Sequence, residues 1–231
     1  MTRPILRSSI LGVLAIVSTA VLAASLDDFT QGEMARGLKD SLRQGAAAAI
    51  DKLGKENGFL GDPRVHIPLP DTLKKSEKLL RTFGMGKQAD ELVVSMNRAA
   101  EKAVPQARDL MVDAVQKMTL QDAQQIVKGG DDAATKYFRT NTQEELRKRF
   151  LPIVTEVTSK VGLAQRYDKL AESAQRMHLL DKNQASVEEF VTQKSLDGLF
   201  LMMADEEKKI RANPVQAATS IAKRLFDAVR Q

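Results

Sequence analysis

Cysteine and tryptophan are absent from this 231-residue sequence, histidine occurs only twice, and aromatic residues make up 4%. Without cysteine the chain can form no disulfide and carries no site for a lipoprotein anchor, so its hydrophobic core must hold the fold alone. A zinc site needs three or four Cys or His ligands, which His66 and His178 cannot supply. We therefore predict no metal and no cofactor. A packing or surface role is favoured for both histidines, and His66 is kept as a candidate binding residue.

The sequence also has no serine elbow of the G-x-S-x-G kind and no block of basic residues. The missing elbow removes the best-known nucleophile motif, and we predict no catalytic residue. The formal net charge is +5, and the charges are interspersed, as in "DEEKKIR" at 205–211. A nucleic-acid-binding protein concentrates its basic residues on one face. Nucleic acid is therefore excluded as a predicted partner.

The N-terminus has the pattern of a secretory signal peptide. Arg3 and Arg7 precede an uncharged apolar run, and small residues stand before a possible cleavage site after Ala23. The run is shorter than the ~20 residues that span a bilayer. We expect residues 1–23 to be removed, leaving 208 residues (231 − 23) without a transmembrane segment. The predicted location is the periplasm.

Apolar residues recur at spacings of three and four along residues 24–231, which predicts a single all-α domain of about nine helices. Gly54 should end a first helix that begins near Phe29, and "FGMGK" at 83–87 should turn between two helices. Thr119 with Asp122, and Thr142 with Glu145, resemble helix-capping pairs. Pro105 and Pro152 interrupt periodic stretches, so we expect kinks or breaks at both.

Two segments depart from the amphipathic pattern. "GLFLMMA" at 198–204 is apolar on all sides, which predicts a central buried helix. "VHIPLP" at 65–70 has prolines two residues apart, so it cannot be a central strand. We predict an extended strap over the helices that points Val65, Ile67 and Leu69 into the core.

Two groups of charged residues are candidate binding sites. Glu91, Arg98 and Glu101 share one side of a predicted helix, where the arginine could bind an anion or form an ion-pair ladder. The ladder is the favoured interpretation. Asp131 and Asp132 follow Gly129-Gly130, a sequence that could form an anion or calcium site. The acidic side chains would repel phosphate, and Ala133-Ala134 add no calcium ligand. We instead predict a helix ending at the glycines and a second helix capped by Asp131.

Four motifs in order, "VHIPLPDTL", "MNRAAEKAVPQA", "GGDDAATKYFR" and "LDGLFLMMADEEKKIRANP", resemble those of the bacterial family called domain of unknown function 4197. The resemblance runs from about Leu38 to Leu225. It implies an exported helical protein of Gram-negative bacteria, with no established activity and no assigned catalytic residue. Similar members often carry a lipoprotein cysteine, which this chain lacks.

Three functions follow as hypotheses. The leading one is a periplasmic module that binds an envelope protein or an apolar small molecule. A deep pocket containing Arg98, Tyr137 and a desolvated carboxylate would favour a small ligand or an enzyme. The second is a hydrolase-like enzyme that uses a carboxylate pair in a helical cleft, either Glu91 with Glu101 or Asp131 with Asp132. The third is a protein that docks on the envelope surface through its C-terminal amphipathic helix.

Overall fold

The computed structural model describes residues 30–160, 186–214 and 219–229, together with the single positions Gln165, Lys169, Glu172 and Arg176. The predicted signal peptide and His178 lie outside the described residues. Helices account for the regular structure of the described chain, which contains no strand, so the all-α prediction is confirmed.

The described residues form eight α-helices and one 3₁₀ helix, where the sequence predicts about nine helices for the whole domain. In chain order they are α1 (Gln31–Leu53), α2 (Asp71–Thr82), α3 (Gly86–Ala103), the 3₁₀ helix (Val104–Ala107), α4 (Arg108–Lys117), α5 (Leu120–Val127), α6 (Ala133–Lys160), α7 (Val187–Ala212) and α8 (Ser220–Val229).

One hydrophobic core joins these helices, and α1 and α7 run through its centre. Helix α1 packs against α4, α5, α7 and α8, while α7 also packs along α6. As predicted, most of 198–204 is buried, although Leu201 remains 41% exposed. A side chain at Gly198 would collide with the Phe59 ring, with a Cβ only 2.8 Å from Phe59 Cε1. The glycine is required because the loop after α1 approaches α7 this closely.

The burial predicted for the strap is confirmed. Val65 ends a turn, residues 66–70 belong to no helix or strand, and Val65, Ile67 and Leu69 are buried, with Ile67 fully inaccessible to solvent. Asn97 on α3 fixes the strap through its backbone. Its Oδ1 accepts the Ile67 N–H at 2.9 Å, and its Nδ2 donates to the Ile67 carbonyl at 2.8 Å. The buried amide therefore provides the hydrogen bonds that a neighbouring strand would otherwise make.

Local signals for helix ends were correct in four places. Gly54 caps the C-terminus of α1, and the turn at 83–85 separates α2 from α3. Thr119 and Asp122 form a reciprocal capping box at α5. Pro105 lies in the 3₁₀ helix that interrupts the chain between α3 and α4, because proline removes the N–H that a continuous α-helix would need.

The helix boundary predicted at Thr142 is wrong, because α6 continues through it, and α6 is not broken at Pro152. The Thr142 hydroxyl donates to the Phe138 carbonyl one turn earlier instead of capping a new helix. Pro152 is exposed, so water can hydrate the carbonyl that loses its helical partner. Phe138, Phe150 and other apolar residues of α6 are buried, and this packing favours one long helix.

Candidate functional site

Arg98 and Glu101 form an internal ion pair that fastens the loop after α1 to α3. Glu101 is buried, and its Oε1 accepts the N–H groups of Phe59 and Leu60, both at 3.1 Å. Its Oε2 lies 2.5 Å from Arg98 Nη1. Arg98 Nη2 donates to Asn57 Oδ1 at 2.9 Å. These contacts use both side chains to order residues 57–60, which gives the pair a clear structural role.

Glu91 lies apart from this pair. Its carboxylate is 48% exposed and stands 4.0 Å from the Lys87 ammonium. Ten residues separate Glu91 from Glu101 on the same helix, which places them about 15 Å apart along its axis. Carboxylates that share a hydrolytic reaction lie at most about 9.5 Å apart. Glu91 and Glu101 therefore do not form a carboxylate pair.

The loop between α5 and α6 contains the predicted aspartates. The glycines separate the two helices as expected, and a side chain at Gly129 would collide with Ala133. Asp132 bridges to Lys136 at 2.9 Å on the surface. Asp131 is exposed, and its side chain makes no hydrogen bond or ion pair with the described residues.

The cap of α6 comes from α7, so the prediction that Asp131 caps this helix is wrong. Glu207 accepts the Ala134 N–H at 3.0 Å, and the Thr135 N–H and hydroxyl at 2.9 Å each. Arg211 Nε donates to the same carboxylate at 3.0 Å, and Arg211 Nη2 donates to the Ile126 carbonyl at 3.1 Å. Glu207 and Arg211 are both buried. The buried pair thus joins the end of α5, the start of α6 and α7.

His66 belongs to the strap, where it is half-buried and its N–H donates to the Asp62 carbonyl. The predicted candidates therefore lie in four places: the strap, the Arg98–Glu101 pair with Glu91 on α3, the α5–α6 loop, and Tyr137 on α6. Among the described residues, no group of three or more His, Cys, Asp or Glu side chains is placed to hold a metal ion.

Tyr137 lines a pocket between α4 and α6. The pocket has a volume of about 240 Å³. Its inner wall is apolar, and its rim is polar. The inner wall consists of Leu110, Ala114, Met118, Phe138 and Leu146; the rim residues are Asp113, Lys117, Asn141, Thr142, Glu145 and Arg149.

Periodicity explains how the pocket arises. On α4 the lining positions are 110, 113, 114 and 117, and on α6 they run from 137 to 149 at steps of one helical turn. Each set forms one face of its helix. The buried Phe138 and Leu146 line the pocket from α6, whereas the partly buried Ala114 is too small to reach across from α4. The side chains consequently leave space between the two faces.

Tyr137 carries the one strongly perturbed group of the described pocket lining. Burial, followed by the hydrogen bond with Asp122, raises the pKa of Tyr137 to about 12. Hydrogen bonds from Thr119 and then Tyr137 lower the pKa of Asp122. The phenol therefore stays protonated beside a carboxylate that stays ionised. The ring meets Phe138 edge to face with centroids 6.2 Å apart.

The rim carries charges of both signs. Glu145 accepts from Arg149 one turn further along α6, while Asn141 Nδ2 donates to the Tyr137 carbonyl at 2.8 Å. On α4, Asp113 and Lys117 are exposed and make no ion pair with the described residues. The pocket thus combines an apolar interior with an acidic and a basic side chain at its mouth.

Sequence reasoning identified Tyr137 but missed the rest of the pocket, as well as Asn97, Glu207 and Arg211. Positions 110, 113, 114 and 117 share one face of α4, but Asp113 and Lys117 make that face half charged, so the hydrophobic pattern did not point to a pocket. For Glu207 and Arg211 the i, i+4 spacing gave no useful signal, since exposed helices carry the same pairs.

The fold and the pocket define a class: an all-helical protein with one core and an amphipathic pocket between two helices. The chain belongs to the family described as Protein of unknown function (DUF4197), whose model matches residues 28–227. The resemblance seen in the sequence motifs is therefore confirmed. No curated protein and no solved structure matches the chain. In the part of the chain that the structure describes, no helix is long and apolar enough to cross a membrane.

Proposed function

We propose that this protein is an exported, periplasmic binding protein that holds a small amphipathic organic molecule between α4 and α6. The observation that carries the proposal is the 240 Å³ pocket with an apolar interior and a charged mouth. Small-molecule sites typically combine apolar walls with a few polar groups that orient the ligand. The ligand class is therefore a compact molecule with an aromatic or aliphatic body and a polar or charged end.

The shape of this site favours a small molecule over an envelope protein. Phe138, Leu146 and Met118 are at most 5% exposed, so the apolar wall is recessed rather than spread over the surface. A protein partner would instead require a broad accessible apolar patch. Tyr137 contributes an aromatic surface that packs edge to face against Phe138.

The geometry does not favour the two alternative functions. The Glu91–Glu101 separation is too large for shared acid–base chemistry, and Asp131 is an exposed loop residue. Docking through the C-terminal helix would need a free apolar face on α8. That face, which includes Leu225 and Phe226, is buried, and α8 packs against α1.

Filling the pocket tests the proposal. Ala114→Phe places a ring in the space between α4 and α6, and Ala212→Phe on the exposed end of α7 is the control. The probe is N-phenyl-1-naphthylamine, whose emission rises in apolar sites and meets no tryptophan background in this chain. We expect wild type and Ala212→Phe to bind the probe saturably, and Ala114→Phe to bind it at least about ten-fold more weakly.

Thermal unfolding shows whether Ala114→Phe remains folded. A melting temperature equal to or above that of wild type, combined with lost probe binding, supports the pocket, since filling a cavity commonly stabilises a protein. Equal affinity in all three proteins would contradict it. Native mass spectrometry of protein purified from a periplasmic extract then gives the mass of the natural ligand.

The proposed export rests on the charged start, the apolar run and the small residues before Ala24. The intact mass of the protein from a periplasmic extract should match a chain that begins at Ala24. A full-length mass in the membrane fraction would contradict this part of the proposal and leave the pocket experiment unaffected.

A further inference from the structure

The hairpin of α2 and α3 exposes two large apolar side chains at its tip. Phe83, directly after α2, is 59% exposed, and Leu79 one turn earlier is 45% exposed. The Phe83 N–H donates to the Leu79 carbonyl, so the last turn of α2 places both on one side of the helix. Gly84 has a φ of +78°, which allows the chain to turn sharply at this point.

The hairpin lies at the periphery of the fold. Helix α2 packs chiefly against α3, and Leu73 is fully buried among the described side chains of α2. Leu79 and Phe83 are exposed. The tip therefore presents two neighbouring apolar side chains to solvent.

Basic and acidic residues both lie near this tip. Residues 71–91 contain five basic and four acidic side chains. Arg81 holds both nearby carboxylates, Glu77 at 2.9 Å and Asp90 at 2.6 Å. Lys74 and Lys78 are exposed and make no ion pair with the described residues. Their charge consequently remains available to an external anion.

From this combination we infer that the tip of the α2–α3 hairpin docks the protein on an anionic membrane surface. Phe83 and Leu79 enter the boundary between headgroups and acyl chains, where aromatic and aliphatic side chains are stabilised. Lys74 and Lys78 reach from the helix to the lipid phosphates. Anionic lipid is the partner because the apolar tip lies next to two exposed lysines that form no ion pair with the described residues. This inference does not depend on the proposed ligand pocket.

Fluorescence of an introduced tryptophan tests the inference without background, since the chain has none. Phe83→Trp places the fluorophore at the tip, and Leu120→Trp places it at a site of similar exposure, 50%, on α5. The partners are vesicles of phosphatidylglycerol with phosphatidylethanolamine, and vesicles of phosphatidylcholine alone. With the anionic vesicles we expect the Phe83→Trp emission to shift to shorter wavelength and the Leu120→Trp emission to stay unchanged.

Salt and charge variants separate the electrostatic contribution from the apolar one. Each lysine near an anionic surface should strengthen binding about five-fold, so Lys74→Gln with Lys78→Gln should weaken vesicle co-sedimentation about 25-fold. Phe83→Ala should weaken it about ten-fold. These residues are exposed, so the variants should keep the wild-type melting temperature. High sodium chloride should release the wild-type protein.

Three results would overturn the inference. The first is an unchanged Phe83→Trp emission with anionic vesicles. The second is an equal shift with phosphatidylcholine, which would show apolar insertion without the predicted role of charge. The third is a shift that appears without vesicles as protein concentration rises, which would identify the tip as a contact between copies of this chain.

Discussion

Replacing Glu207 with alanine should destabilise the protein more than any nearby surface substitution. The change removes the acceptor for the N–H groups of Ala134 and Thr135 and for the Thr135 hydroxyl. It also leaves the Arg211 guanidinium buried without its carboxylate. Breaking a buried ion pair by removing one partner costs about 3–5 kcal/mol. That loss is a large part of the roughly 5–15 kcal/mol by which native proteins are stable.

Urea unfolding followed by far-ultraviolet circular dichroism measures this loss as a lower midpoint at unchanged slope. Glu206→Ala is the matched control. The Glu206 carboxylate pairs with the exposed Lys209 ammonium, so its removal should lower the free energy of unfolding by at most about 0.5 kcal/mol. Asp131→Ala should be equally mild, since Glu207 and not Asp131 accepts the N–H groups at the start of α6.

A double variant separates the ion pair from the cap. Glu207→Met with Arg211→Met removes both buried charges, so it should be less destabilising than Glu207→Ala, although the α6 N–H groups still lack an acceptor. The reasoning is refuted if Glu207→Ala costs less than about 1 kcal/mol, or if Asp131→Ala costs as much as Glu207→Ala.

Three further measurements follow from the structure. Ile67→Ala should lower the free energy of unfolding by roughly 2–4 kcal/mol, because the Ile67 side chain is fully buried on the inner side of the strap. A change below about 0.5 kcal/mol would argue against that burial. Hydrogen bonds from Arg64 lower the pKa of Asp62 to about 2. An unfolded aspartate titrates near about 3.9, so the stability that Asp62 contributes should be complete above about pH 4 and disappear as the pH falls towards 2. Urea unfolding measured at a series of pH values should show that the Asp62→Asn variant lacks this loss of stability between about pH 4 and 2. In a Tyr167→Phe chain, absorbance titration should show Tyr137 half-ionised near pH 12, and a midpoint near pH 10 would contradict its burial.

Much of the fold could be predicted because its signals are local. The Thr119–Asp122 capping box needs only residues three apart, and its hydrogen bonds form within one turn. The strap was equally readable, because the prolines at 68 and 70 exclude a helix and the alternating Val65, Ile67 and Leu69 share one side. In both cases neighbours in sequence supply the interactions that decide the structure.

The same kind of signal failed at Thr142. Thr142 and Glu145 match a capping box, yet α6 passes through them because its apolar face, including Phe150 and Val154, packs in the core. A cap is worth about 1 kcal/mol, whereas fully burying one large apolar side chain contributes about 1.5–3 kcal/mol. Packing therefore outweighed the cap.

The candidate site shows where sequence reasoning reaches its limit. The pocket arises from the way α4 lies against α6. Ala114 leaves space there only because of the α6 side chains that face it across the pocket. The helical periods, the capping box at α5 and the alternation along the strap were determined by the sequence itself, through interactions that span a few residues. The tertiary structure alone decided that Glu207 is buried and Asp131 exposed, because the N–H groups at a helix start require an acceptor but do not specify which part of the chain supplies it.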